Sequence, residues 1–261
     1  MIKKIILEKE LNGEELQKLE ILFRETKRDI LDCFLILTDS PELACICRKL
    51  DMAVAAVLTE KGKDFPGIAY AVTDAADTDE EYLERIWQRY RGIPWKICET
   101  DRCLVRETVP EDVDSFYRIY RDKNITAYME NLFEDREKER EYIREYIEKV
   151  YGFYGFGMWT VCLRETGEVI GRAGLSMREG FEEPELGYVI GKKWQRQGIA
   201  AEVCGKILDY ARDILGFGRI RALMHPDNAA SERLCCRLGF QYAGEMEVEG
   251  QVYSGYIITL M

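Results

Sequence analysis

One stretch of the sequence, residues 185–200, has the residue types of an anion-binding site. Its first six residues are mostly apolar and predict a strand, and its last residues open a long amphipathic helix. Gly198 and Ala200 leave the backbone bare where that helix begins. Free N–H groups there, with the positive end of the helix dipole, suit an anion, most naturally a phosphate. Lys192, Lys193 and Arg196 add three positive charges at the same place.

The spacing of the glycines limits the classes of ligand that the loop could bind. The loop matches neither G-x-x-x-x-G-K-[ST] nor G-x-G-x-x-G, which disfavours nucleoside triphosphates and dinucleotides. Taken alone, it is also compatible with an ordinary tight connection between a strand and a helix. Two further segments lie downstream, residues 228–231 (Asn-Ala-Ala-Ser) and residues 238–240 (Leu-Gly-Phe).

Together these segments resemble the GNAT superfamily of acyl-coenzyme-A-dependent N-acetyltransferases. Gln195-x-x-Gly198-x-Ala200 matches the pyrophosphate-binding signature Q/R-x-x-G-x-G/A, and the two downstream segments match a second characteristic region. Residues 185–188 (Glu-Leu-Gly-Tyr) look like the fourth strand in the branch that contains ribosomal-protein alanine N-acetyltransferases. The resemblance covers residues 102–261, and the region before it stays unassigned.

The resemblance implies a binding site for acetyl-coenzyme A (acetyl-CoA) as cosubstrate, with no metal. Backbone groups of Val189 and Ile190 would hold the pantetheine arm and polarise the thioester, and Asn228 would hydrogen-bond the pantetheine. The pyrophosphate would lie against the loop and the start of the helix, at Gln195, Arg196, Gln197, Gly198, Ile199 and Ala200.

Candidate catalytic residues follow from the chemistry of acyl transfer. An acceptor ammonium must lose a proton before attack, and Glu185 is the candidate general base, its alternative being an exposed strand carboxylate. Tyr188 is a candidate proton donor to the leaving thiolate, or else a packed aromatic residue.

The sequence departs from the family at one position. Many relatives place a tyrosine acid four residues before the glycine of Leu-Gly-Phe, where this chain has Cys235. We expect Cys235 to be a core residue, with Ser231 or solvent supplying the proton instead. We expect a structural or loop-positioning role for the single histidine, His225.

The elements around these residues predict an α/β (α+β) protein. Over residues 101–261 we expect the GNAT domain, a mixed and mostly antiparallel sheet with flanking helices. Its predicted strands are 103–106, 158–163, 169–177, 185–191, 219–224, 240–248 and 252–260. Its first predicted helix begins near residue 110. Three further helices are predicted over residues 134–149, 198–215 and 229–238.

Residues 1–100 predict a small α/β accessory domain with a short parallel sheet. Strands are expected at 33–38, 53–58 and 68–72, and helices after Asn12, after Asp39 or Ser40, and over 79–90. No D-x-D follows the first of these strands, which disfavours phosphoryl transfer through an aspartate. The expected role is to pack against the transferase or to shape its acceptor cleft.

The amino-acid composition of the chain limits the partners and the cellular location that we expect. The net charge of −11 disfavours nucleic acid and anionic membranes and favours amine-bearing partners. No stretch approaches the roughly 20 apolar residues of a membrane span. None of the nine cysteines forms a C-x-x-C pair, and most lie in apolar runs, which predicts reduced thiols and a cytoplasmic location.

We therefore expect an N-acetyltransferase that moves an acetyl group from acetyl-CoA to a primary amine by direct attack in a ternary complex. The acceptor would be a protein N-terminus or a small cationic amine, and a homodimer is one expected assembly. A non-catalytic acyl-CoA sensor, supported by Cys235, and a bifunctional protein whose first domain has its own ligand are the alternatives.

Overall fold

A computed structural model describes residues 3–7, 11–59, 63–129 and 131–260. The chain divides into two compact units, Met1–Trp95 and Lys96–Met261. The sequence placed the boundary after residue 100. The strand Lys96–Glu99 pairs within the sheet of the second unit, so the structural boundary lies five residues earlier.

The first unit contains a four-stranded parallel sheet in the order β1-β2-β3-β4. The strands are β1 (Lys3–Leu7), β2 (Phe34–Thr38), β3 (Ala53–Val57) and β4 (Ala71–Val72). The helices are α1 (Gly13–Glu25), α2 (Arg28–Leu31), α3 (Pro41–Lys49) and α4 (Glu80–Tyr90). Side chains of Asn12, Ser40 and Asp79 cap α1, α3 and α4, which explains where these helices begin.

Both faces of this sheet are covered, which is why β2 is apolar along its length. Leu35 and Leu37 pack on one face with Leu83 and Ile86 of α4, and Ile36 packs on the other. The predicted short parallel sheet is confirmed. The structure adds the exposed edge strand β1, and it shortens the expected strand 68–72 to two residues.

The second unit contains an eight-stranded sheet in the order β11-β12-β10-β9-β8-β7-β6-β5. The strands are β5 (Lys96–Glu99), β6 (Cys103–Arg106), β7 (Met158–Leu163), β8 (Val169–Ser176), β9 (Glu185–Ile190), β10 (Arg219–Met224), β11 (Gln241–Val248) and β12 (Gln251–Thr259). The helices are α5 (Val113–Tyr120), α6 (Arg136–Tyr146), α7 (Gly152–Tyr154), α8 (Ile199–Asp213) and α9 (Ala229–Leu238).

Neighbouring strands of this sheet are antiparallel except β9 and β10, which run parallel. The predicted mixed, mostly antiparallel sheet with flanking helices is confirmed. The sequence missed β5, and the expected helix 134–149 divides into α6 and a π-helical turn, Ile147–Tyr151. Among the described residues, no helix combines the length and apolar character needed to cross a membrane.

A buried carboxylate joins the start of α5 to the sheet. Asp112, 4% exposed, accepts two hydrogen bonds of 2.7 Å from Arg106 of β6 and one of 2.8 Å from the Thr160 hydroxyl of β7. It also accepts from the Val109 N–H at 3.1 Å. Since these partners come from two strands and from the turn before α5, Asp112 fixes that helix on its face of the sheet.

We expect Asp112→Ala to destabilise the second unit by about 3 kcal/mol, the lower end of the range for a broken buried ion pair, because Arg106 is left partly buried without its partner. Urea unfolding followed by tryptophan fluorescence measures this change. Asp101→Ala, at an exposed position, is the control and should leave the midpoint unchanged. Equal midpoints for both variants would contradict the anchoring role.

Candidate active site

A gap between β9 and β10 is the central feature of the candidate site. Within the described residues the two parallel strands pair through Glu185 and Arg221 alone, where the Arg221 N–H donates to Pro184 O at 2.9 Å. By contrast, β9 pairs with β8 along all six of its residues, and β10 pairs with β12 along all six of its own. The two strands therefore part beyond Glu185 and leave one edge of β9 open.

The alternation of backbone hydrogen bonds along β9 determines which of its N–H and C=O groups face this gap. The Gly191 N–H donates to Ile170 O, next to β8, at 2.8 Å, whereas Pro184 O points to β10. Because the N–H and C=O groups of successive strand residues point to opposite edges, Tyr188 and Ile190 face the gap and Val189 faces β8. The role that the resemblance gave to the Val189 backbone does not fit this register. Ile190 keeps its assigned position.

The loop after β9 turns sharply before α8. Arg196 and Gly198 have φ values of 57° and 80°, and the left-handed conformation is natural for glycine but strained for arginine. No side chain caps α8, and the N–H groups from Gly198 to Ala201 have no hydrogen-bond partner among the described residues. These N–H groups at the start of a 15-residue helix lie where the sequence predicts an anion site, and their geometry suits an anion.

The side chains of the two glutamines in the loop stabilise it through hydrogen bonds to backbone carbonyls of the same segment. Gln195 Nε2 donates to Ile190 O at 2.9 Å, and Gln197 Nε2 donates to Lys193 O at 2.9 Å. Their donors are thus directed at the loop itself, and the backbone supplies the groups for an anion. Lys192, Lys193 and Arg196 are exposed around it, so the positive charge of the loop faces solvent.

Side chains of β9 alternate between the two faces of the sheet. Val189 packs with Phe116 and Tyr120 of α5, whereas the Tyr188 hydroxyl donates to Ser231 Oγ of α9 at 2.9 Å. Glu185 shares the parity of Val189 and therefore faces α5. The predicted base and the predicted acid thus lie on opposite faces of the strand that borders the gap.

Tyr188, Ser231 and Asn228 form a chain on the α9 face. Asn228 caps α9, its Oδ1 accepting from the Ser231 N–H at 3.2 Å, and Ser231 in turn accepts from Tyr188. Burial raises the pKa of the Tyr188 hydroxyl above its ordinary value in spite of the bond with Ser231. The hydroxyl is therefore protonated at neutral pH and can act as a donor.

Glu185 is held by a residue that sequence reasoning missed. Arg178 Nε, in the loop after β8, donates to Glu185 Oε2 at 2.8 Å. This hydrogen bond raises the pKa of the Arg178 guanidinium, and the negative charge of Glu249 adds to the effect. No motif marks Arg178, because its role depends on the pairing of Ser176 with Glu185, which places the loop beside β9.

Two other residues occupy the expected surroundings. Cys235 is 2% exposed, and burial raises the pKa of its thiol to about 12, so it is a neutral core group. His225 Nδ1 accepts from the Asp227 N–H at 3.2 Å within the loop before α9, and its ring lies 5.2 Å from that of Tyr128. The burial of Cys235 agrees with the core position predicted for it, and the structural role of His225 stays a prediction.

The assignment is decided by comparison with known proteins. Residues 102–241, more than half of the chain, match the acetyltransferase (GNAT) domain. The chain belongs to the GNAT acetyltransferase family. A Bacillus subtilis protein described as an uncharacterized N-acetyltransferase, YoaA, is 32% identical over 151 residues, which are 57% of this chain and 84% of that one. The first unit lies outside the match.

Two further relatives have more specific names. The [ribosomal protein uS5]-alanine N-acetyltransferase of Escherichia coli is 35% identical over 125 residues, covering 46% of this chain and 62% of the relative. A solved structure of a ribosomal L7/L12 alpha-N-protein acetyltransferase, in complex with coenzyme A (CoA), has a TM-score of 0.54 at 15% identity. It matches 64% of this chain and 98% of the other, and at this identity it shows that the fold is shared.

The geometry fits the donor of a GNAT enzyme. The unpartnered N–H groups at the start of α8 suit a diphosphate, and the open edge of β9 offers N–H and C=O groups that match an extended amide-containing arm. Membership of this family and the geometry together support acetyl transfer as the chemistry of the chain.

Gly198→Glu should weaken CoA binding by more than about tenfold, because a carboxylate would enter the anion site (1.4 kcal/mol for each factor of ten). Isothermal titration calorimetry measures the dissociation constant. Gly216→Glu is a matched control, since Gly216 has a similar φ of 72°, lies after the far end of α8 and has open space around it. Comparable affinity of the two variants would place the diphosphate elsewhere.

Tyr188→Phe keeps the ring and removes the hydroxyl. We expect kcat to fall by about 10²-fold, the usual scale for loss of a general acid, with CoA affinity unchanged. Tyr256→Phe is the control, because it removes another tyrosine hydroxyl bonded to α9, that to Glu232 at 3.1 Å, on a strand that does not border the gap. Steady-state kinetics of thiol release distinguish them. Equal losses in both variants would assign the effect to the packing of α9.

Proposed function

We propose that the protein transfers an acetyl group from acetyl-CoA to a primary amine by direct attack within a ternary complex. One observation carries this proposal: β9 borders the gap, and its side chains place Glu185 on one face of the sheet and Tyr188 on the other. Membership of the GNAT family and relatives named N-acetyltransferases support it.

The donor would be held by backbone groups. N–H groups from Gly198 to Ala201 would bind the diphosphate, and the side-chain amide nitrogen of Asn228 would donate to the pantetheine, since its Oδ1 already caps α9. The Ile190 N–H faces the gap and would stabilise the oxygen of the thioester as it gains charge. Acetyl-CoA supplies the activated acetyl group.

The two proton transfers of the reaction would take place on opposite faces of the sheet. On the α5 face, Glu185 accepts the proton of the acceptor ammonium through water, using Oε1, since Arg178 occupies Oε2. The amine nitrogen then forms the new C–N bond, the C–S bond breaks, and the nitrogen releases its second proton to water, which leaves a neutral amide. On the α9 face, Tyr188 gives its proton to the sulfur and recovers one from water through Ser231.

The charges around Arg178 favour a cationic acceptor. The carboxylates of Glu185 and Glu249 both act on Arg178, which leaves one negative charge uncompensated within this group of three. The net charge of −11 adds to the attraction. A protein N-terminus or a small cationic amine meets this requirement, and the E. coli relative named for an alanine of ribosomal protein uS5 makes the N-terminus the first acceptor to test.

Purified protein should bind CoA in isothermal titration calorimetry and should release free thiol from acetyl-CoA when a panel of peptides and small amines is supplied. Absence of CoA binding would overturn the proposal. Binding of CoA without thiol release across the panel would instead favour a non-catalytic acyl-CoA sensor. Mass spectrometry of the acceptor, with a gain of one acetyl group, completes the assignment.

Glu185→Gln should lower kcat by about 10²-fold at neutral pH and leave CoA affinity unchanged, because the amide cannot take a proton. The acid limb of the pH–rate profile should also change, since it reports ionisation of the base. Glu182→Gln, an exposed acid three residues away, is the control and should behave as wild type. An unchanged pH–rate profile in Glu185→Gln would remove this residue from the mechanism.

The proposal also covers the cellular location of the protein and the role of its first unit. All nine cysteines are free thiols, which suits the reducing cytoplasm expected from the sequence. For residues 1–95 the accessory role stays a prediction. Kinetics of the chain with and without this unit, over the same acceptor panel, would show whether the unit contributes to the choice of acceptor.

A further inference from the structure

Arg102 ties the beginning of the eight-stranded sheet to the loop at the anion site. It lies between β5 and β6, and its guanidinium Nη1 donates to the carbonyl of Gln197 at 2.9 Å. Its Nε donates to Glu202 Oε2 at 2.8 Å, and its backbone N–H donates to Oε1 of the same carboxylate at 3.1 Å. A single residue thus holds both the loop before Gly198 and the first turn of α8.

Glu202 is an unexpected residue at this place. It lies in the first turn of α8, and its side chain is 23% exposed. A carboxylate in the first turn interacts favourably with the helix dipole, but it carries the same sign of charge as a diphosphate bound to the N–H groups of that turn. Left uncompensated, Glu202 would oppose the ligand that the loop is built to hold.

The hydrogen bonds and the positive charge of Arg102 offset this repulsion. Burial alone would raise the pKa of the Glu202 carboxyl, but hydrogen bonds from Thr100 and Arg102 lower it below its ordinary value. Glu202 is therefore ionised at neutral pH, and the guanidinium cancels its charge locally. A Cβ atom placed on Gly198 would lie 3.7 Å from Arg102 Nη2, so the guanidinium is next to the bare backbone of the anion site.

We propose that Arg102 is a positioning residue of the CoA site, which neutralises Glu202 and fixes the Gln197 carbonyl so that the start of α8 accepts the diphosphate. The inference rests on the proposed function, because it assigns a role within the binding of CoA. It concerns the diphosphate part of the ligand and leaves the reacting atoms to the residues around the gap.

The first test compares two ligands. Arg102→Gln should raise the dissociation constant of CoA by about tenfold or more (1.4 kcal/mol), and it should leave that of pantetheine, which lacks the diphosphate, unchanged in an NMR titration. Arg212→Gln is the matched control, since Arg212 also forms ion pairs on α8, with Asp209 and Asp213, at the opposite end of the helix. It should bind both ligands as wild type does.

The second test separates neutralisation from a structural effect. In the double variant Arg102→Gln, Glu202→Gln, the charge that Arg102 cancels is absent, so most of the lost CoA affinity should return. Arg102→Lys keeps the charge without the forked geometry and should bind CoA with an affinity between wild type and Arg102→Gln. Melting temperatures of all variants identify any that is unfolded.

Each outcome bears on the inference. Wild-type affinity of Arg102→Gln for CoA, equal losses for CoA and pantetheine, or a double variant that binds no more tightly than the single one would overturn it. A wild-type protein that does not bind CoA would overturn the proposed function instead, and the two failures are therefore distinguishable.

Discussion

The parting of two parallel strands is the constraint on which the candidate site depends. β9 is paired along its whole length with β8, and β10 with β12, while the two meet only at Glu185 and Arg221 within the described residues. Each strand is thus held by its outer neighbour. The Ile190 C=O on the open edge of β9 accepts from Gln195 Nε2, and an extended ligand can bind the other gap-facing N–H and C=O groups.

Electrostatics then separates the two ends of the site. The chain as a whole is acidic, with a net charge of −11, yet the loop before α8 carries Lys192, Lys193 and Arg196 and the bare start of a helix. Arg102 compensates the one carboxylate of that first turn. Around Arg178 the balance is reversed, because Glu185 and Glu249 both act on this one guanidinium. A polyanionic donor and a cationic acceptor therefore suit different parts of one molecule.

Sequence reasoning performed best where function depends on local backbone geometry. The strand, loop and helix of residues 185–213 were expected from periodicity, and the structure has them. Ser231 and Asn228 lie together because they share one helical turn. Reasoning failed for Val189, since the edge that a residue faces depends on which neighbouring strand it pairs with. Edge strands β1 and β5 were missed because strands of five and four residues are too short to show a clear period-two alternation.

The sequence by itself determined the family, the position of the candidate anion-binding loop and the residue types available for acid–base chemistry. These follow from spacings of a few residues, within which the geometry of a helix or strand fixes how side chains are related. Only the tertiary structure decided that Tyr188 meets Ser231, that Arg178 holds Glu185 and that Arg102 reaches Glu202 from 100 positions away. Such pairs depend on the register between strands and on the packing of helices against the sheet, and contacts of that kind leave no periodic trace along the chain.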